Sequence, residues 1–190
     1  MPLNRIAEVL ELPGTEAAQA ISRYWGEVEG DVKTKRKLVQ YLEDYRVGKG
    51  ESMYKVETRE VPEQKVATVQ QGVYVKDLPG FIQEATRELL KGLSEAGLSG
   101  SGPMFEIYHG EVNEDSAGPV EVCVPFAGSL EPVERVRVRL EPAHAEAFTR
   151  ITKAQVEFPG ILGAYDAVSK WLGQHDRCMS DSPREVYFAE

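Results

Sequence analysis

The stretch REVYF, residues 184–188, is typical of a β-strand whose two faces differ in chemistry. Side chains alternate across a strand, so Val186 and Phe188 would share one face while Glu185 and Tyr187 share the other. If the apolar face packs on the core, the carboxylate and the phenol either meet water or line a pocket that favours positive charge. An internal repeat of the chain bears on this choice.

Two similar segments follow residue 50. A shift of 80 positions (62 to 142) aligns, without a gap, Pro62 with Pro142, Ala67 with Ala147 and Pro79-Gly80 with Pro159-Gly160. One further deletion aligns Glu106-Ile107-Tyr108 with Glu185-Val186-Tyr187. Each segment predicts two strands, a helix after Pro-Gly and a strand with the Glu-x-Tyr pattern. The predicted fold class is α+β, with duplicated β-β-α-β units behind an N-terminal helical arm.

The first copy also contains a fourth predicted strand at 120–126. The other predicted strands are 54–58, 65–70, 136–140 and 146–152. A counterpart of the fourth strand would begin near position 199 (120 plus 79), beyond Glu190. Unless the domain tolerates one missing edge strand, we expect the sequence to be cut short at its C-terminus.

The arm, residues 1–50, shows helical rather than alternating periodicity. The spacing predicts one helix over 2–12, ended by Pro13-Gly14, and a longer helix after Thr15. The longer helix has apolar residues four and three apart, with Lys35 as the one break: Ile21, Trp25, Val28, Val32, Val39 and Leu42. This heptad seam predicts a homodimer through residues 16–46, or packing within the arm's own domain. The glycine-containing stretch 47–52 predicts a linker to the domain at 51–190.

Composition excludes several classes of protein. The net charge is −9, and the arm holds 8 Lys/Arg and 8 Asp/Glu, so residues 51–190 carry 22−8=14 against 31−8=23. This excess argues against broad contact with nucleic acid or anionic membranes. The chain has no apolar run long enough to span a membrane and no signal peptide, and its two cysteines form no disulfide framework, so we expect a cytoplasmic protein.

The two Glu-x-Tyr strands predict a ligand groove between the repeats. There, Glu106 with Tyr108 and Glu185 with Tyr187 could surround a cation, because aromatic faces and carboxylates both attract positive charge. The alternative is a Glu-x-Tyr face exposed to water, and for Glu106 the two interpretations are equally favoured. Candidate walls, each of which could instead belong to the core, are Tyr74, Phe158 and Trp171.

Residues 53–190 resemble the GyrI-like small-molecule-binding domain, also called the AraC effector-binding domain. The resemblance is carried by GPMFEIYHG (102–110), VEVCVPF (120–126), AYDAVSKWL (164–172) and PREVYF (183–188). It implies binding of bulky, often cationic, aromatic compounds, with Glu185 as the ligand carboxylate. The chain departs from the family at 155–159, where a Gly-x-aromatic segment is replaced by QVEFP, and in lacking the closing strand.

The arm is similar to another family. PLNRIAEVLEL (2–12) and AISRYWGEVEGDVKTKRKLVQYL (20–42) resemble the end of a MerR-family DNA-binding region and its antiparallel dimerisation helix. The preceding winged helix-turn-helix is missing, and without a recognition helix the arm cannot read a major groove. The resemblance implies a MerR-type multidrug-sensing regulator that begins late, and contact with promoter DNA only in a longer form of the chain.

Two other functions remain open. Some GyrI-like proteins hydrolyse the cyclopropane of DNA-alkylating natural products, and here Glu185 could act as general base and Tyr108 as general acid. A protein that shields gyrase or another macromolecule, or binds a toxin, is also compatible with an acidic domain. No Ser/His/Asp, metal-binding or phosphate-loop arrangement stands out, so we expect no cofactor.

Overall fold

The computed structural model describes residues 1–46 and 54–188. The predicted linker at 47–52 lies outside these residues. The chain divides into two compact units, Met1–Glu57 with Phe148–Gln174, and Thr58–Ala147 with His175–Glu190. The predicted arm thus shares its unit with a segment from the second repeat.

The first unit is mainly helical. It contains α1 (Leu3–Leu10), α2 (Gly14–Arg46), α4 (Lys153–Val156) and α5 (Gly160–Gln174). Arg5 of α1 contacts α2 twice, through an ion pair of 3.3 Å with Glu27 and with its guanidinium 5.4 Å from the Tyr24 ring centre. Further along α2, the Tyr41 hydroxyl donates a hydrogen bond to Asp166 of α5. One face of α2 therefore packs within its own unit.

The predicted heptad seam lies on an exposed face of α2. Ile21, Trp25 and Leu42 are 51%, 58% and 50% exposed, and α2 has no buried residue in the described chain. Helix formation over 33 residues requires a packed face to stabilise it, because helices gain most of their stability from tertiary contacts. The contacts with α1 and α5 supply that packing. Five seam residues are exposed, whereas Val28 is half-buried, one turn from the Tyr24 that contacts α1.

The second unit is built on a five-stranded antiparallel sheet with strand order β5-β2-β4-β3-β7. Its strands are β2 (Gln64–Val73), β3 (Met104–Tyr108), β4 (Gly118–Pro125), β5 (Arg137–Glu141) and β7 (Arg184–Tyr187). A separate two-stranded sheet pairs β1 (Val56–Val61) with β6 (His144–Thr149). Helix α3 (Leu78–Glu95) packs on one side of the five-stranded sheet, which we call the α3 face.

The main core lies between α3 and the sheet. The helix buries Phe81, Ala85, Leu89 and Leu93, which recur at helical spacing. On the strands, alternate residues such as Val120, Val122 and Val124 meet them. The residues in between pack on the opposite side, the second face, in a smaller cluster formed by Val66, Phe105, Ile107, Cys123 and Val186. Because both faces are buried, the sequence VEVCV of β4 is almost continuously apolar.

The β3–β7 pairing relates the two Glu-x-Tyr strands by a local twofold. Glu106 lies directly opposite Glu185, flanked by the pairs Phe105–Val186 and Ile107–Arg184. Since the repeat alignment also equates Glu106 with Glu185, these residues mark the point where the two copies meet. The repeat equates β1 with β5 and β2 with β6. The pairing of β2 with β5 therefore has its counterpart in the pairing of β6 with β1. The α+β fold with duplicated β-β-α-β units is confirmed.

Several boundaries differ from the predicted ones. The strand predicted at 54–58 occupies Val56–Val61, and the one predicted at 146–152 occupies His144–Thr149. The short helix α4 was not predicted, and its first turn is closed by a capping box between Thr152 and Gln155. Phe188, expected to share the core with Val186, is 64% exposed because it lies just beyond the end of β7.

Candidate functional site

Four polar side chains meet on the α3 face of β3 and β7. Glu106 and Tyr108 come from β3, and Glu185 and Tyr187 come from β7. The strand alternation points all four to the same side of the sheet, since Met104 and Tyr108 pack against the α3 core while Phe105 and Ile107 belong to the second face. We call this set the carboxylate–tyrosine cluster.

Hydrogen bonds join the four residues. The Tyr108 hydroxyl donates to Glu106 Oε2 at 3.0 Å. The Tyr187 hydroxyl lies 3.2 Å from the same oxygen and 2.8 Å from Glu185 Oε2. A phenol has one proton to donate, so Tyr187 serves one carboxylate at a time and links the two.

Glu106 is the most deeply placed member of the cluster. Its side chain is fully buried, at 0% exposure. Its second oxygen, Oε1, is buried and has no hydrogen-bond partner within the described part of the chain. A buried carboxylate oxygen without a donor is costly, because the charge has left water without compensation.

Burial also changes the acidity of the cluster. Loss of solvent, reinforced by the charge of Glu185, raises the pKa of Glu106 to about 7, although the two phenols oppose the shift by stabilising the carboxylate. The same desolvation raises the pKa of Tyr108 and of Tyr187, so both phenols keep their protons at neutral pH. The arrangement can attract a cation with its carboxylates and offer aromatic rings to a planar group.

The structure buries the two carboxylates to different depths. Glu185, which the family resemblance favours as the ligand carboxylate, lies on an edge strand and is half-buried. Glu106, for which water and pocket were equally favoured, lies on a strand paired on both sides and is the buried one. The sequence contained an indication of this difference in burial: FEIY at 105–108 is followed by a further apolar strand, whereas REVY at 184–187 is the last predicted strand.

The three predicted aromatic walls lie outside the two strands that form the cluster. Tyr74 follows the end of β2, is 41% exposed and has its ring 5.9 Å from Lys76 Nζ. Strand β4 lies between β2, which Tyr74 follows, and β3 of the cluster. Phe158 lies between α4 and α5, and Trp171 lies in α5. Both belong to the first compact unit, and their part in a ligand site stays a prediction.

The second face of the sheet carries a network of charges. Arg139 binds Glu121 with two hydrogen bonds of 2.8 and 2.9 Å and also binds Glu141. Arg184 donates to Glu141 at 2.7 Å and lies 3.7 Å from Glu146. The carboxylates are buried, which raises the pKa of Glu121 and of Glu146, but their hydrogen bonds to arginine and histidine outweigh burial and leave the pKa of each below its usual value.

A concavity of about 190 Å³ lies beside this network. Its lining includes Phe105, Val186, Arg59, Glu146 and Arg184. Phe105 and Val186 point away from Glu106 and Glu185, so this concavity and the carboxylate–tyrosine cluster occupy opposite faces. Its arginines and glutamate neutralise one another, with Arg59 Nε 2.7 Å from Glu146 Oε2. We therefore place the candidate site at the cluster, where Glu106 Oε1 is buried with no hydrogen-bond partner among the described residues.

Residues 1–46 and 54–188 provide neither a membrane-spanning helix nor a cluster of metal ligands. No helix there is long and apolar enough to cross a membrane. Nor does that part of the chain bring together three or more His, Cys, Asp or Glu side chains in a position to hold a metal ion.

Comparisons with known proteins place the fold. No protein-family model matches the sequence, and no curated protein matches it. The crystal structure of the EcmrR C-terminal domain matches with a TM-score of 0.63 and 19% identity, covering 73% of this chain and 86% of that one. The cryo-EM structure of the EcmrR–DNA complex in EcmrR-RPo matches with a TM-score of 0.64 and 17% identity, covering 100% of this chain and 70% of that one. The chain therefore has the fold of EcmrR, along its helical arm as well as its C-terminal domain.

Proposed function

We propose that the chain is the ligand-sensing part of a MerR-type transcription regulator, and that it binds bulky aromatic cations at the carboxylate–tyrosine cluster. The single observation that carries the proposal is Glu106, a fully buried carboxylate with an unpartnered oxygen, directly opposite the second carboxylate of Glu185. A site that buries a carboxylate among phenols selects positive ligands.

Similarity of fold supports the regulatory part of the proposal. EcmrR forms a complex with DNA, and this chain matches the DNA-bound structure over its whole length. In a longer form of this chain, ligand binding at the cluster would be passed through α2 to a promoter-bound region. The GyrI-like character of the domain, with its preference for drug-like cations, belongs to the same proposal.

Removing charge from Glu185 tests the ligand class. We expect Glu185→Gln to weaken tetraphenylphosphonium binding at pH 8 by about 1 to 3 kcal/mol, the scale of losing a charged partner. The neutral triphenylphosphine oxide should bind within about 0.5 kcal/mol of its wild-type affinity, because the amide keeps the shape of the side chain. Isothermal titration calorimetry of both ligands on both proteins makes the comparison.

A matched control is Glu95→Gln, which removes an exposed carboxylate near the end of α3. Equal losses for the cation and the neutral ligand would assign Glu185 a structural role instead. Mass analysis of a cyclopropane-bearing aromatic compound recovered from the protein should find it unchanged. A water-added product would favour the alternative, hydrolysis with Glu185 as general base and Tyr108 as general acid.

The regulatory proposal includes a homodimer through residues 16–46. A second copy would cover the exposed seam of α2, whose apolar side chains are spaced four and three residues apart as in a coiled coil. We expect the wild type to sediment as a dimer and Val32→Asp to sediment as a monomer, because the new carboxylate would be buried unpaired in the seam. Gln40 is an exposed residue of α2 outside the seam, and Gln40→Asp is the matched control, expected to remain dimeric. Wild-type protein that sediments as a monomer would contradict the dimer.

A further inference from the structure

We propose that the carboxylate–tyrosine cluster binds its cation in exchange for a proton carried by Glu106, so that ligand affinity depends on pH. This inference rests on the proposed function, because it names how the same site is regulated. It assigns different tasks to the two carboxylates: Glu106 holds the exchangeable proton, and Glu185 helps to attract the cation.

The geometry separates the two tasks. Glu106 is fully buried, and its hydrogen-bond donors are two neutral phenols, both directed at Oε2. Oε1 is buried and has no partner within the described residues, so a proton there removes the uncompensated charge without breaking either hydrogen bond. Glu185 is only half-buried and lies on the edge strand, where a ligand can reach it.

The strands beside Glu106 place no positively charged side chain next to it on the α3 face. On the α3 face, β7 contributes Glu185 and Tyr187, and β4 contributes Val120 and Val122. From its own strand come Tyr108 and the apolar Met104, which the Thr86 hydroxyl of α3 contacts at 3.0 Å. Two acidic residues of α3, Glu84 and Glu88, bind Arg135 at 3.1 and 2.7 Å, and the third, Glu95, pairs with Lys91 at the end of the helix. The nearest charge in these strands is therefore the like charge of Glu185.

This environment favours the protonated form of Glu106 near neutral pH. Burial first, and the charge of Glu185 next, raise the pKa of Glu106 to about 7, in agreement with the geometry. A bound cation compensates the negative charge of the Glu106 carboxylate and therefore favours the ionised form of Glu106 over the protonated form. The exchange is balanced: the Glu106 O–H bond breaks, the proton goes to solvent, and the cation pairs with the carboxylate without forming a covalent bond.

Isothermal titration calorimetry measures how many protons are released for each cation bound. Tetraphenylphosphonium chloride is titrated into the full chain at pH 6 and pH 8, in phosphate and in Tris–bis-Tris buffers, whose ionisation enthalpies differ. We expect release of about 0.9 protons per cation at pH 6 and about 0.1 at pH 8, with affinity about tenfold lower at pH 6, as one group with a pKa of about 7 requires. Glu106→Gln should bind with no proton release and no pH dependence over this range, whereas Glu185→Gln should still release a proton.

The outcomes separate this inference from the proposed function. Cation binding by the wild type with no proton release at pH 6 would overturn the exchange and leave the binding site intact. Absence of cation binding at both pH values would overturn the site itself and the exchange with it. If Glu106→Gln fails to fold, carboxyl-carbon NMR of the wild type decides: the Glu106 signal must titrate near pH 7 in the free protein and at lower pH with the cation bound. A Glu106 signal that titrates below pH 5 without ligand would also overturn the exchange.

Discussion

Replacing Arg184 by methionine will lower the free energy of unfolding by about 3 kcal/mol, because it removes one partner of a buried ion pair. The Arg184 side chain is 13% exposed and that of Glu141 is 4% exposed, with 2.7 Å between Nη1 and Oε1. The guanidinium also lies 5.8 Å from the centre of the Phe105 ring, a contact that methionine replaces only in part. Glu141 keeps its bond to Arg139, so we place the loss at the lower end of the range for such pairs.

Denaturant unfolding of wild type and variant measures this loss. Lys91→Met is the matched control, because the ion pair of Lys91 with Glu95 is exposed and contributes about 0.3 to 0.5 kcal/mol at most. A loss for Arg184→Met as small as that of the control would mean that water, rather than the arginine, compensates Glu141. The second-face network would then contribute little to holding β7.

Glu106→Gln will make the protein more stable than the wild type at pH 8, and the gain will disappear in acid. The folded-state pKa of Glu106 is about 7, against 4.5 for the unfolded chain. Below pH 4.5 Glu106 is protonated in both the folded and the unfolded state, so burying its side chain has no ionisation cost. As the pH rises to 7, Glu106 ionises only in the unfolded state, and the free energy of unfolding falls. The difference of 2.5 pKa units (7−4.5) corresponds to about 3 kcal/mol.

The quantity to measure is the variant's free energy of unfolding minus that of the wild type, at pH 4.5 and at pH 8. We expect this difference to grow by about 3 kcal/mol between the two. Other groups change protonation over this range in both proteins, and the subtraction cancels them. Glu95→Gln, which removes an exposed carboxylate, should show no such growth. A constant difference for Glu106→Gln would show that Glu106 ionises in the folded protein as readily as in the unfolded chain.

The repeat in the sequence predicted the fold because its signals are local. Proline and glycine mark where a strand gives way to a helix, and apolar periodicity changes between strand and helix on either side of them. Pro79-Gly80 lies in the first turn of α3, and Pro159-Gly160 lies where α5 begins. The same repeat equated Glu106 with Glu185, and the register of β3 and β7 places these two residues opposite each other.

The site was harder to predict because burial is a tertiary property. Alternation shows which residues share a face, but it does not show how many strands or helices cover that face. The repeat treats Glu106 and Glu185 alike, yet one lies on an interior strand and the other at the sheet edge. The second-face network was missed for the same reason, since Arg139 and Glu121 become neighbours only when β5, β2 and β4 come together.

The measurement that tests the central claim most directly is the location of a bound cation. Tetraphenylarsonium has the shape and charge of tetraphenylphosphonium, and its arsenic atom can be located by anomalous X-ray scattering in a crystal of the complex. We predict one strong arsenic peak on the α3 face of β3 and β7, beside the carboxylates of Glu106 and Glu185. A peak on the second face beside Phe105 and Val186, with none near Glu106, would contradict the account.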